Sequence, residues 1–144
     1  MIAVDTNVLV YAHREDTEWH ERAASLIAEL AGGAPPWAIP WPCAHEFLAT
    51  VTHPRIFRTP TPVSAALDQV AAWFESPSLV LLAENDSYFG WLSELIGAGR
   101  VTGPKVHDAR VAALCLTHGV RVLWSADRDF SLFPALQVRN PLIA

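Results

Sequence analysis

MIAVDTNVLVYA, residues 1–12, decides how the rest of the chain is read. Ile2 to Val4 is an apolar run of strand length, and it stops at Asp5, a residue suited to a turn or a helix start. In an open parallel sheet, ligands bind beyond the carboxyl ends of the strands, so an acid in this position belongs to a rim where chemistry is done. Three further acids fall where elements change: Glu46 in PCAHEFLATV, Asp108 in KVHDARVAALCLTHGV and Asp127 in VLWSADRDF.

Working outward, the pattern alternates strand and helix. After a loop, residues 17–31 carry Trp19, Ala23, Leu26, Ile27 and Leu30 at helical spacing, ended by Gly32-Gly33. Trp37 to Trp41 is a short strand whose Pro40 and following Pro42 favour an edge, or a strand end that runs straight into a helix bearing Glu46. A helix over 63–75 is closed by Ser76-Pro77, and Leu79 to Leu82 reads as a fully buried strand. From Asp86 to about Ala98, Phe89, Leu92 and Ile96 mark a helical face, with Asn85 or Asp86 as N-cap. A helix over about 104–118 ends at Gly119, and 121–124 is the next strand. This alternation predicts an α/β fold, three layers α/β/α, around a mostly parallel sheet of four to five strands. The Pro/Thr-rich HPRIFRTPTP, residues 53–62, reads as an exposed loop.

The 144 residues, 51% of them hydrophobic, are the size of one compact domain spanning 1–144. The net charge of −5 is not that of a nucleic-acid module with a basic surface. Acids that ligate metal change that balance, because each divalent ion returns positive charge to the place where a phosphate would arrive. Cys43 and Cys115 lack the spacing of a zinc site or a disulfide scaffold. With neither a signal-type N-terminus nor a membrane-length apolar run, a cytoplasmic protein without a membrane partner is expected.

Asp5 and Asp127 each follow a strand and point to the same rim, and Glu46 and Asp108 lie early on helices. Four carboxylates brought within a few ångströms repel one another and raise their own pKa values unless a cation neutralises them. Oxygen-only ligation favours Mg²⁺ or Mn²⁺, which keep several waters and accept phosphate oxygens. With one ion activating a water and a second at roughly 4 Å stabilising the leaving oxygen, phosphodiester hydrolysis is the reaction such a site suits.

At these residues the chain resembles the PIN-domain family, and within it the VapC-type ribonuclease toxins of VapBC toxin-antitoxin pairs. The resemblance rests on Val4-Asp5-Thr6-Asn7, on Glu46-Phe47-Leu48, on the helix from Asp108 closed by His118-Gly119-Val120, and on Asp127-Arg128-Asp129-Phe130 followed by Phe133-Pro134 and Asn140-Pro141. It covers nearly the whole length, and the four motifs in this order are far more specific than any one alone. It implies a PIN-like α/β/α fold, one or two Mg²⁺ or Mn²⁺ ions, a preference for single-stranded RNA, a homodimer, and a VapB-type antitoxin that blocks the site. It also implies that Asp5, Glu46, Asp108 and Asp127 are the catalytic, metal-binding quartet. Thr6 and Asn7 match residues that orient the first aspartate or its water, and Asp129 is a supporting or alternative ligand. Ser125 stands where the family often has threonine and keeps the hydroxyl.

Arg14, Lys105, Arg110 and Arg128 are candidate RNA contacts, with Arg55 and Arg58 on the loop, since phosphates need such donors. Ordinary solvated charges explain each nearly as well. His45 and His107 precede two of the acids, but neighbours on a helix point about 100° apart. They are read as surface groups or as second-layer support. Trp19, Trp73 and Trp124 are assigned to the core, and Trp41 and Trp91 to contacts with a partner. Two alternatives stay beside the ribonuclease toxin: a PIN nuclease that is not a toxin, and a PIN-like domain that binds RNA or a partner without cutting. A phosphatase of the haloacid dehalogenase type would want a second Asp two residues after Asp5, where Asn7 stands.

Overall fold

The structure is a computed structural model and describes residues 1–143. Along them run β1 (Ile2–Val4), α1 (Thr6–His13), α2 (His20–Gly32), β2 (Trp37–Pro40), α3 (Trp41–Val51), α4 (Val63–Phe74), β3 (Leu79–Leu82), α5 (Tyr88–Gly99), α6 (Val106–Thr117), β4 (Val122–Trp124) and β5 (Gln137–Arg139). Short 3-10 turns lie at Gly103–Lys105 and Arg128–Leu132. All strand pairs are parallel, in the order β3-β2-β1-β4-β5, and helices flank the sheet as the sequence predicts. No helix of the described residues is long and apolar enough to cross a membrane.

The strand order fixes the location of the site. β1 lies in the middle, with Ala3 opposite Ala38 on one side and Leu123 on the other. The chain steps outward from β1 through β2 to β3, then crosses back to place β4 on the far side of β1. The strand order therefore reverses between β1 and β4, and a crevice opens beyond their carboxyl ends. Asp5 follows β1 there and Ser125 follows β4. Beneath them Leu9, Trp37, Phe47, Leu123, Phe130 and Phe133 are almost completely buried, as is the run from Val111 to Leu116 on α6. α6 stops in a Schellman turn: Gly119 at φ 73° lets Val120 N–H reach back to Cys115 O at 2.8 Å, and the chain turns toward β4.

Several expectations are corrected. The loop expected before the second helix contains α1, which begins immediately after Asp5. Thr6, Val8, Leu9 and Val10 are all buried, so α1 has no polar stripe for a helical period to reveal. α2 begins at His20, with Trp19 as its cap rather than on its face. β2 is interior, not an edge: Pro40 is its last residue and also caps α3, so its missing N–H costs the ladder little. β3 is the edge strand, with Val80 exposed, rather than fully buried. On α5 the inner face holds Trp91, Leu92, Leu95 and Ile96, while Phe89 points outward at 72% exposure. Ser87 caps that helix, and Asn85 instead accepts Ser87 N–H and the Thr117 hydroxyl.

Candidate functional site

Asp5, Glu46, Asp108 and Asp127 line one open cavity of about 810 Å³ beyond the β1 and β4 ends. Four elements deliver them. Asp5 is the residue between β1 and α1, Glu46 lies in the second turn of α3, Asp108 in the first turn of α6, and Asp127 caps the 3-10 turn after β4. For Asp108, which local sequence could not orient, the turn at Gly103–Lys105 leads directly into α6 and sets the carboxyl on the rim.

Asp5 is almost wholly buried, 6% exposed, and is held from two sides. Its Oδ2 accepts the Ser125 hydroxyl at 2.7 Å and Asn7 Nδ2 at 3.4 Å, and its Oδ1 accepts the Cys43 thiol at 3.4 Å. Burial raises its pKa above the ordinary carboxylate value, and the Glu46 charge adds to this against the donors that pull it down. Burial and the Asp5 charge push the Cys43 thiol far up, so Cys43 stays protonated and can donate. Asn7 also donates to Ser125 Oγ at 3.2 Å and accepts Ala126 N–H at 3.1 Å, which ties the start of α1 to the loop after β4. Thr6 touches two of the acids: its backbone N–H bonds the Asp5 carboxyl, and its hydroxyl donates to Glu46 Oε2 at 3.2 Å.

Asp108 carries the most perturbed carboxyl on the rim. Burial and then the charges of Asp127, Asp129, Asp5 and Glu46 push its pKa up to about 6. One oxygen each of Asp108, Asp127 and Asp129 lies within 4.8 Å of the others. Asp129 thus stands within reach of an ion shared with Asp108 and Asp127. Its carboxyl is half exposed at the rim, 3.8 Å from Lys105 Nζ, and its N–H donates to Asp127 Oδ1 at 2.8 Å. An all-carboxylate set whose charges crowd Asp108 suits a hard divalent cation.

The candidate RNA contacts divide. Arg110 lines the cavity, with its guanidinium 4.0 Å from Glu84 in an exposed pair. Lys105 and Arg128 are exposed near the rim acids. Arg14 is corrected: it is buried, its guanidinium donates to Thr59 O at 2.7 Å and to Thr61 Oγ1 at 3.2 Å, pairs with Asp16, and lies 4.1 Å over the Phe57 ring. With its donors engaged there, Arg14 anchors the 53–61 loop. His45 and His107 are exposed and line the cavity beside their acidic neighbours, because the opening is broad enough for residues 100° apart on a helix. Trp41 packs edge-on against Phe74, and Trp91 lies partly buried against the core, so each leaves part of its ring for a partner.

Sequence reasoning gives no role to Cys43, which holds Asp5 from beneath, or to Ile56 and Phe57, which wall the cavity from the loop. Cys43 precedes Glu46 by three residues, and on a helix that spacing places both on one side, a signal that was available.

With the parallel sheet and the acidic crevice at its reversal point in view, residues 2–136 match the PIN domain family. The chain belongs to the PIN-domain family, with VapC-type chains as its relatives. Ribonuclease VapC43 of Mycobacterium tuberculosis is 34% identical over 142 residues, covering 99% of this chain and 96% of the relative. Ribonuclease VapC48 of the same organism is 28% identical over 137 residues, covering 95% and 94%. Among solved structures, Mycobacterium tuberculosis VapC20, described as a toxin cleaving the sarcin-ricin loop, superposes with a TM-score of 0.70 at 19% identity, covering 96% of this chain and 99% of that one. VapBC2 from Rickettsia felis, bound to a promoter DNA fragment, gives 0.68 at 16% identity, covering 96% and 98%. Likeness at that level of identity speaks to the fold.

Proposed function

We infer that residues 1–144 act as one PIN domain, an endoribonuclease that hydrolyses RNA phosphodiester bonds as the toxin of a type II toxin-antitoxin pair. The observation that carries this reading is the convergence of Asp5, Glu46, Asp108 and Asp127 on one cavity, where burial and the neighbouring acidic charges push Asp108 up to about 6. In this reading Asp5, Glu46, Asp108 and Asp127 hold one or two Mg²⁺ or Mn²⁺ ions, and Asp129 supports them from the rim. The ions supply charge neutralisation, a nucleophilic water and stabilisation of the leaving oxygen.

The protein's own groups do the positioning. Ser125, Asn7 and Cys43 hold both oxygens of Asp5 in place, and Thr6 holds Glu46. Arg110, whose exposed pair with Glu84 is weak, is free to exchange that partner for a phosphate oxygen, and Lys105 and Arg128 offer further donors. The ribonuclease names of the 34% and 28% identical relatives support RNA as substrate. The VapBC complexes among the similar folds support a VapB-type antitoxin as partner. Homodimerisation and a cytoplasmic setting complete the reading, and the outward Phe89 is consistent with a covered face.

The test is cleavage of single-stranded RNA by purified protein with Mn²⁺ or Mg²⁺, with chelator, and in Asp5→Asn and Asp108→Asn variants. Ion-dependent cutting that both variants lose is expected. A folded Asp5→Asn protein that still cuts RNA and still arrests growth refutes the assignment.

A further inference from the structure

The cavity has two chemically different ends. Thr6 and Asn7 open α1 beside Asp5, and Val10 and Tyr11, one turn further along, line the same cavity. On α3, Glu46 is followed one turn later by Ala49 and Thr50, which also line it. A turn advances about 5.4 Å, so the packed pair α1 and α3 runs from the carboxylates into an apolar shelf one turn away. Ile56 and Phe57 close that shelf from the loop after α3.

Two observations mark the shelf as built for a ligand. Among the large apolar side chains of the described residues left half exposed, Ile56 at 54% is the one that lines this cavity. Its side chain extends the apolar surface that Val10, Ala49 and Phe57 present to the same cavity. The loop that carries it is also fixed in advance. Arg14 spans Thr59, Thr61 and the face of Phe57, Thr61 N–H donates to Val51 O at 2.8 Å, and the N–H groups of Ile56 and Phe57 both donate to His53 O at 3.2 Å.

We propose that the shelf of Tyr11, Ile56 and Phe57 is a nucleobase subsite, which receives the base of a nucleotide adjoining the phosphate that a divalent ion on the carboxylates would hold. A base is a flat apolar plate tethered to its phosphate by one sugar, so carboxylates that would hold a phosphate through a divalent ion, with an apolar shelf one helical turn away, suit the two parts of a nucleotide. Entry requires an unpaired base, which makes single-stranded RNA the substrate class, and Arg55 and Arg58 on the same exposed loop give flanking phosphates their donors. The subsite rests on the ribonuclease reading above.

The experiment selects the best-cut member of a randomised single-stranded RNA pool with wild-type protein and Mn²⁺, then replaces each nucleotide of it in turn by an abasic ribose. One abasic position beside the cut bond is expected to lower kcat/KM about tenfold or more, the size expected when a stacked base is removed. In Ile56→Ala, whose melting temperature should match wild type because the side chain is half exposed, that penalty should shrink toward none. If folded wild-type protein cuts no member of the pool, the ribonuclease reading fails and the subsite falls with it. If it cuts but no abasic position beside the cut bond matters, the subsite alone fails. A penalty unchanged in Ile56→Ala also overturns it and assigns the shelf to a protein partner instead.

Discussion

Ser125 Oγ donates to Asp5 Oδ2 at 2.7 Å while accepting the N–H of Asp127 at 2.9 Å. One hydroxyl therefore couples the acid after β1 to the acid after β4 across the crevice. Ser125→Ala leaves a buried carboxylate short of its best donor, at a cost of about 1–3 kcal/mol in unfolding free energy measured with urea. RNA cleavage should fall steeply in that variant. Ser125→Thr keeps the hydroxyl and should retain both properties; a fully active Ser125→Ala would show that the link is dispensable.

The pH response of the ion-free protein has a definite sign. Asp108 titrates at about 6 in the fold against 3.8 as the ordinary value, so between these limits the native state binds more protons than the unfolded chain. Stability is therefore greatest below about 3.8 with respect to this group and is lost as pH rises through about 6. Asp5, raised in the same direction, adds to the loss. Melting temperatures across this range should show the decline, and Asp108→Asn should flatten it. A wild-type profile that rises steadily through the window contradicts the burial and crowding on which the site is built.

Ion binding should reverse the decline. Mn²⁺ or Mg²⁺ stabilises the folded state by about 2.7 kcal/mol at a free concentration a hundred times the dissociation constant. The shift should grow with pH as protons leave the carboxylates, and shrink in Asp127→Asn more than in Asp129→Asn, since Asp127 lines the cavity and Asp129 stands at its rim. No shift in scanning calorimetry at millimolar metal would sink the metal assignment.

Arg14 separates an anchoring role from an RNA contact. Arg14→Met should lower stability by about 1–3 kcal/mol through lost bonds to Thr59 and Thr61 and speed amide exchange at Thr61, with little change in the salt dependence of RNA binding. Arg110→Gln should do the reverse, reducing the salt slope while stability holds. A stable Arg14→Met with a reduced slope would return Arg14 to the substrate.

The legible parts of this chain are those where sequence position and chemistry coincide. Asp5, Glu46, Asp108 and Asp127 could be found because each interrupts or opens an apolar element, and their convergence follows once the sheet is parallel. α1 was hidden because Val8, Leu9 and Val10 are buried together and leave no amphipathic period. For β2, Pro40 and Pro42 allow an edge or a strand end that runs into a helix, and the structure takes the second; Leu79 to Leu82 carries no polar residue yet forms the edge, because pairing order is a property of the whole sheet. Arg14 looked like a rim donor because nothing near residue 14 announces Thr59 and Thr61, more than forty positions away, as its acceptors.

The crossover that carries the chain back past β1 has a consequence for the order of synthesis. Asp5, Glu46 and Asp108 all emerge before β4, yet the crevice has no second wall until Val122 to Trp124 docks beside Ile2 to Val4 and brings Ser125 against Asp5. A ribosome halted anywhere upstream of that strand releases a polypeptide with most of its acids and no assembled centre. The crevice therefore closes only once β4 is made, after three of its four acids.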